Sequence, residues 1–165
     1  MSRGVSIQSS QNARRPLWVT GLLALVLFLG LAAFLAPLKP DVLALQFTFT
    51  PEAFGAVVHL WPPEHLARFR AHLPVDGLLL LAYGSFGYLL GTRTAVLPTA
   101  GAALLPLAAA CDATENLLHA WFTEASRLGV AWHYAVAGSA AACKWALILA
   151  FGLLLAHGLA RRGEA

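Results

Sequence analysis

Four long apolar stretches dominate the chain, separated by short clusters of glycine, proline or charged residues. A helix crosses a hydrocarbon core of about 30 Å with about 20 residues, because each residue adds about 1.5 Å. By this measure the pattern predicts four transmembrane helices, at about residues 17–38, 75–91, 95–122 and 131–159. We therefore expect an all-α fold, a four-helix transmembrane bundle that forms one membrane domain over residues 1–165.

The connection between the first two predicted spans, residues 39–74, has a pattern of its own. Apolar and polar residues alternate over residues 43–49, which is the period of an extended strand. Thr50 and Pro51 have the form of a helix start, with Thr as the N-cap, and a second helix start follows at Pro63. We expect this connection to be an amphipathic, extracytoplasmic loop that lies in the membrane interface.

Composition and charge place the chain in a membrane and exclude a soluble domain. Of its 165 residues, 59% are hydrophobic and 12% charged, whereas soluble domains are typically about 25% charged. Residues 1–15 are polar and predict a disordered tail. The net charge of +3 comes from basic residues near the helix ends, so it reports topology and gives no reason to expect a nucleic acid partner.

The distribution of basic residues predicts the orientation in the cell membrane. Six lie at the termini and in the turn between the second and third spans, and four lie on the other side. The excess predicts a multi-pass protein with both termini in the cytoplasm. The six are Arg3, Arg14, Arg15, Arg93, Arg161 and Arg162, and the four are Lys39, Arg68, Arg70 and Arg127.

Polar residues recur at helical spacing on each of the last three predicted spans. On the third span, Asp112 and the three polar residues that follow it by three, four and seven positions share one face of the helix. An ionisable side chain exposed to lipid costs at least about 2.5 kcal/mol at mid-bilayer, so the polar stripes should face one another. They consist of Asp76 and Tyr83 on the second span, Asp112, Glu115, Asn116 and His119 on the third, and His133 and Lys144 on the fourth.

Lys144 is the one lysine among these polar residues, and Asp112 and Glu115 are its expected partners. One lysine cannot neutralise three carboxylates, so we expect at least one of them to carry a proton at neutral pH. A carboxyl group that is protonated at neutral pH can act as a general acid or as a proton carrier. The candidate catalytic residues are therefore Asp112, Glu115, Lys144 and Asp76, and the candidate ligand-binding residues are Tyr83, Asn116, His119 and His133.

The same residues also suit a hydrogen-bonded network that only fixes the register of the helices, and both interpretations stay open. A metal is not predicted. Glu115 and His119 have i, i+4 spacing, but the sequence contains no second such pair and no HExxH motif. Haem would need histidines on facing spans at mid-membrane depth, and none are found. No cofactor is expected.

Gly87 and Gly91 form a GxxxG motif on the second predicted span. This motif is typical of close helix packing within a bundle, and less often of a contact in a homo- or hetero-oligomer. A membrane lipid is the other expected partner.

Several segments of the chain resemble a widespread, uncharacterised group of bacterial four-span integral membrane proteins. They are the loop FTPEAFGAVVHLW, the opening VDGLLLLAYG of the second span, CDATENLL in the third and CKWALILA in the fourth. The resemblance covers about residues 41–150 and implies a multi-pass membrane protein without implying an activity.

The converging polar residues favour a protein that binds a lipid or isoprenoid-like molecule, or processes it by acid/base chemistry. Whether it is an enzyme stays open. One alternative is a non-enzymatic assembly or partner subunit whose buried charges fix helix packing. The other is proton or ion handling, which the apolar inner halves of the spans disfavour.

Overall fold

The computed structural model describes residues 3–94, 96–124 and 130–163, with side chains from residue 15 onward. This part of the chain is helical and contains no strand, which confirms the all-α prediction. The helices are α1 (Arg3–Leu35), α2 (Val42–Gln46), α3 (Pro51–Val58), α4 (Pro63–Arg93), α5 (Leu104–Phe122) and α6 (Ala131–Gly163), and a 3-10 turn at Thr99–Ala103 precedes α5.

Three of these helices are long and apolar enough to cross a membrane: Arg15–Leu35 within α1, and the whole of α4 and α6. The fourth long helix, α5, has 19 residues. It is less apolar because Asp112, Glu115 and His119 lie on it, and all three are buried. The polar face of α5 is therefore covered by its neighbours.

The four long helices pack in chain order. Extensive contacts join α1 to α4, α4 to α5 and α5 to α6, and among the described residues no comparable contact joins α1 to α6. Two apolar clusters form the core. One includes Phe54, Phe122 and Tyr134, and the other includes Leu105 and Phe151. The polar residues of α5 and α6 lie between these clusters along the helices.

The predicted strand over residues 43–49 is wrong. Val42–Gln46 is a short helix, and the Asp41 side chain caps it by accepting a 3.0 Å hydrogen bond from the Ala44 N–H. Leu45 is fully buried in the core. An isolated strand would leave its backbone groups unpaired, whereas a capped helical turn satisfies them locally.

Two other helices are longer than the sequence pattern predicted. The backbone of α1 is helical from Arg3, in place of the predicted disordered tail, because a helix that is already nucleated extends at little cost. Helix α4 runs from Pro63 to Arg93 with Pro74 inside it, so the predicted loop helix and the second predicted span form one helix. Proline is tolerated within such helices when neighbouring groups satisfy the freed carbonyl.

Gly87 and Gly91 face other parts of the same chain. A Cβ atom added to Gly87 would lie 2.5 Å from the Leu105 Cβ, and one added to Gly91 would lie 2.5 Å from the Ala102 Cα. The GxxxG motif thus brings α4 close to the 3-10 turn and the start of α5. An oligomeric contact through these glycines stays a prediction.

We expect Gly91→Ala to destabilise the protein by about 1–3 kcal/mol, the usual cost of overpacking, because the Ala102 backbone would have to move. Gly77→Ala is the matched control on the same helix, since a Cβ at Gly77 would meet nothing within 4 Å. Unfolding in detergent micelles measures both. Equal stability of the two variants would contradict the close packing.

Candidate functional site

Lys144 is at the centre of a polar network between α5 and α6. Its side chain is buried, and its Nζ donates hydrogen bonds of 2.9 Å to Asp112 Oδ1 and 2.6 Å to Glu115 Oε2. The two carboxylates lie nearly one turn apart on α5, so one ammonium group reaches both. The pairing predicted from helical spacing is confirmed by these distances.

Two further hydrogen bonds tie α4 into the same network. The Tyr83 hydroxyl donates to Asp112 Oδ2 at 3.2 Å, and Asn116 Nδ2 donates to Asp76 Oδ2 at 2.5 Å. Six of the eight predicted site residues therefore lie together, from three helices that are far apart in sequence. These residues are Asp76, Tyr83, Asp112, Glu115, Asn116 and Lys144.

His119 lies beside this network, within an aromatic environment. It is 1% exposed. Its Nδ1 is 3.7 Å from Glu115 Oε1, and its ring centroid is 5.6 Å from that of Phe54. No hydrogen-bond partner for its Nε2 is found among the described residues. His119 thus contacts the polar network on one side and the aromatic cluster on the other.

The structure does not bring His133 into the network. Eleven residues separate it from Lys144 on α6, which corresponds to about 16 Å along a helix. Its ring packs instead against Trp121 and Trp132, at centroid distances of 4.9 and 3.8 Å. The prediction that His133 joins Lys144 in one polar group is therefore wrong, because Lys144 pairs with Asp112 and Glu115 at its own depth and does not reach His133.

A cavity of about 890 Å³ lies between α1 and α6, with the polar network at one side of it. Helix α2 contributes to its rim, and α4 and α5 form its back. Its walls are mainly aliphatic and aromatic side chains. The polar and ionisable residues that line it are Gln46, His72, Asp76, Tyr83, Asp112, Asn116, Lys144 and Trp145.

Glu115 and His119 do not line the cavity, so they stand behind Lys144 and Asp112. The Lys144 ammonium group is thereby held between one carboxylate at the cavity wall and one in the interior. Chemically, the wall can accept hydrogen bonds from a ligand, and the network behind it can hold or pass on a proton.

Three polar residues of the cavity were not predicted from the sequence: Gln46, His72 and Trp145. His72 falls in the connection predicted to lie in the membrane interface, yet it is 6% exposed and its Nδ1 contacts the Phe69 carbonyl oxygen. Its spacing of four residues from Asp76 was the available signal, but Pro74 was taken as a helix boundary. Gln46 and Trp145 are joined by a 3.0 Å hydrogen bond from Trp145 Nε1, which links α2 to α6.

Among the described residues, no group of three or more histidine, cysteine or acidic side chains is placed to hold a metal ion. Comparisons with protein families, curated proteins and solved structures find no match for this chain. The function is therefore inferred from the cavity and the polar network themselves.

Proposed function

We propose that the chain is an integral membrane protein of four spans that binds a lipid or isoprenoid-like molecule in the cavity between α1 and α6. In this proposal, Asp76, Asp112 and Lys144 bind the polar part of that molecule or exchange protons with it, and Glu115 holds the Lys144 ammonium group from behind. The observation that carries the proposal is the position of a mixed carboxylate and ammonium network on the wall of an otherwise apolar cavity.

The outer surface of the helices supports the membrane assignment. Large apolar side chains outside the cavity project outward from every long helix, such as Val19 on α1, Leu81 on α4 and Leu149 on α6, all between 63% and 69% exposed. Helix α5 follows the same rule, because Leu117 is 73% exposed while the polar residues point inward. Such a surface suits acyl chains and would promote aggregation in water. We propose that α5 crosses the membrane as well, and that the excess of basic residues near the termini keeps both of them in the cytoplasm.

The cavity has the size and chemistry of a ligand site. Ligand pockets typically have volumes of about 300–1,000 Å³, apolar walls and a few convergent polar groups. A small polar molecule would leave most of this wall uncovered, whereas an amphiphile would cover both the wall and the network. The cavity lies between α1 and α6, which lack an extensive mutual contact, so acyl chains of the bilayer have a lateral route into it.

Filling the cavity tests this proposal. Ala32 lines the cavity, and its exposed neighbour Ala33 does not. We expect Ala32→Phe to lower the amount of lipid retained by the purified protein at least about tenfold, a loss of about 1.4 kcal/mol of binding energy. Native mass spectrometry in a mild detergent measures the retained lipid.

Ala33→Phe is the matched control, since it adds the same ring to the same helix outside the cavity. It should leave lipid retention unchanged. Lipid bound equally by both variants, or absent from the unmodified protein under several mild detergents, would contradict the proposed binding site.

A second candidate, an assembly subunit whose buried charges fix helix packing, is supported by how fully the network satisfies itself. Each oxygen of Asp112 already accepts a hydrogen bond within the chain. A proton or ion pathway has less support, because the side chains on the other side of the network, such as Leu105 and Phe151, are apolar and offer an ion or a proton no polar partner.

A further inference from the structure

We infer that the cavity selects an amphiphile with a positively charged amine head group and an apolar chain. This inference rests on the proposed function and names the chemical class of the ligand. It follows from two observations: which donors and acceptors at the cavity wall already form hydrogen bonds within the protein, and the sign of the net charge of the network.

Most donor side chains beside the network already donate within the protein, and the Gln46 amide group, which accepts from Trp145, is the exception at the rim. Lys144 donates to two carboxylates, Tyr83 donates to Asp112, and Asn116 donates to Asp76. The His72 Nδ1 contacts the Phe69 carbonyl oxygen, which can only accept, so the donor at Nδ1 is used as well. A ligand that supplies donors therefore matches this wall better than one that needs them.

Acceptor capacity remains on the two carboxylates that face the cavity. Asp76 receives its hydrogen bond on Oδ2, so Oδ1 is available to a ligand. Asp112 uses both oxygens once, and each carboxylate oxygen can accept a second hydrogen bond. An ammonium group, with three donors, can bridge such acceptors.

The net charge of the network also favours a ligand with a positively charged head group. Lys144 stands against three carboxylates, those of Asp76, Asp112 and Glu115, so a net charge of −1 remains even when one carboxylate is protonated. Lys144 is also the one lysine or arginine among the described residues that line the cavity. In a low-dielectric site, an unbalanced negative charge favours a cationic ligand and disfavours an anionic one.

The two arginines in the first part of α4 do not reverse this balance. Arg68 donates to the Phe34 carbonyl at 2.9 Å, and Arg70 donates to the Ala120 carbonyl at 3.1 Å and to Thr123. Neither arginine lines the cavity. A phosphate or carboxylate head group would therefore lack a cationic partner other than the already paired Lys144.

The shape of the cavity is the reason why we expect the ligand to have an apolar chain. It follows α1 from Trp18 to Leu35, a length of about 25 Å at the helical rise. Beyond the polar network, it is lined by aromatic and aliphatic residues such as Phe86, Leu105 and Phe151. An amine at Asp76 and Asp112 would place its chain along this apolar wall.

Three amphiphiles with the same chain and different head groups test the inference: oleylamine, oleyl alcohol and oleic acid. Binding is measured at neutral pH on the full-length, delipidated protein in a nonionic detergent, by native mass spectrometry and by thermal shift. We expect oleylamine to bind at least about tenfold more tightly than the alcohol, and oleic acid to bind most weakly. Equal binding of the three, or tighter binding of the acid, would overturn the inference.

Asp76→Asn provides a second readout on the same site. Asparagine keeps an oxygen for the Asn116 hydrogen bond but removes the charge, so the ratio of amine to alcohol affinity should fall toward one. The control is Asp41→Asn, an exposed carboxylate outside the cavity whose capping role asparagine also performs. An unchanged ratio in Asp76→Asn would overturn the assigned contact.

The outcomes separate this inference from the proposed function. Binding of the alcohol or the acid without a preference for the amine overturns the amine preference and leaves an amphiphile site in place. Binding of none of the three, together with equal lipid retention by Ala32→Phe and Ala33→Phe, overturns both.

Discussion

Lys144→Met is expected to destabilise the protein by about 3–5 kcal/mol, the usual cost of removing one partner from a buried ion pair. Methionine keeps much of the side-chain length but cannot donate to Asp112 or Glu115, which are 7% and 1% exposed. Both carboxylates would be left in the interior without their cation. Chemical or thermal unfolding in detergent micelles measures the loss.

Lys39→Met is the matched control for this substitution, because Lys39 lies exposed in the connection after α1. Surface changes of this kind usually alter stability by less than about 0.5 kcal/mol. A triple variant, Lys144→Met with Asp112→Asn and Glu115→Gln, should recover much of the lost stability, because it removes the uncompensated charges. Similar stability of Lys144→Met and Lys39→Met would contradict the buried network.

Adding Asp76→Asn to this triple variant removes all four charges of the network and separates the two candidate functions. If the network only fixes helix register, a neutral network that folds should retain everything the protein does. If the cavity binds an amphiphile through these charges, the same variant should fold and yet lose its preference among head groups. A stable quadruple variant with unchanged ligand preference would favour the assembly subunit.

The polar network was predictable from the sequence because two strong physical constraints act on it. Helical spacing places Asp112 and Glu115 on one face of α5, and the cost of exposing charge to lipid turns that face toward Lys144. The all-helical architecture follows in the same way from apolar runs of sufficient length. Neither inference needs a detailed account of side-chain packing.

The cavity was not predictable, because it depends on where α1 packs. Residues 17–35 of α1 contain no ionisable side chain that would orient the helix, so the sequence does not reveal that it contacts α4 and stands apart from α6. The secondary structure of short segments was not predictable either. Five residues such as Val42–Gln46 are too few to separate a helical from a strand period, and a single cap at Asp41 decides the structure.

Phe54→Ala is expected to destabilise the protein by about 3–5 kcal/mol, the usual cost of emptying a buried aromatic site. Phe54 belongs to α3 in the outer connection and is 3% exposed. Its ring centroid lies 5.3 Å from those of Phe122 on α5 and Tyr134 on α6. This one side chain therefore packs the connection against the two helices that hold Lys144 and its partners, and unfolding in detergent measures its contribution.

Phe47→Ala makes the same chemical change in the same connection, at a side chain that is 48% exposed, and it should cost far less. The comparison decides whether the outer connection is part of the folded core or only a linker. If it is part of the core, removing the Phe54 ring also uncovers His119, which the ring packs against behind Glu115, and water gains access to the inner side of the network. Equal stability of the two variants would contradict this packing and leave the network closed by α4, α5 and α6 alone.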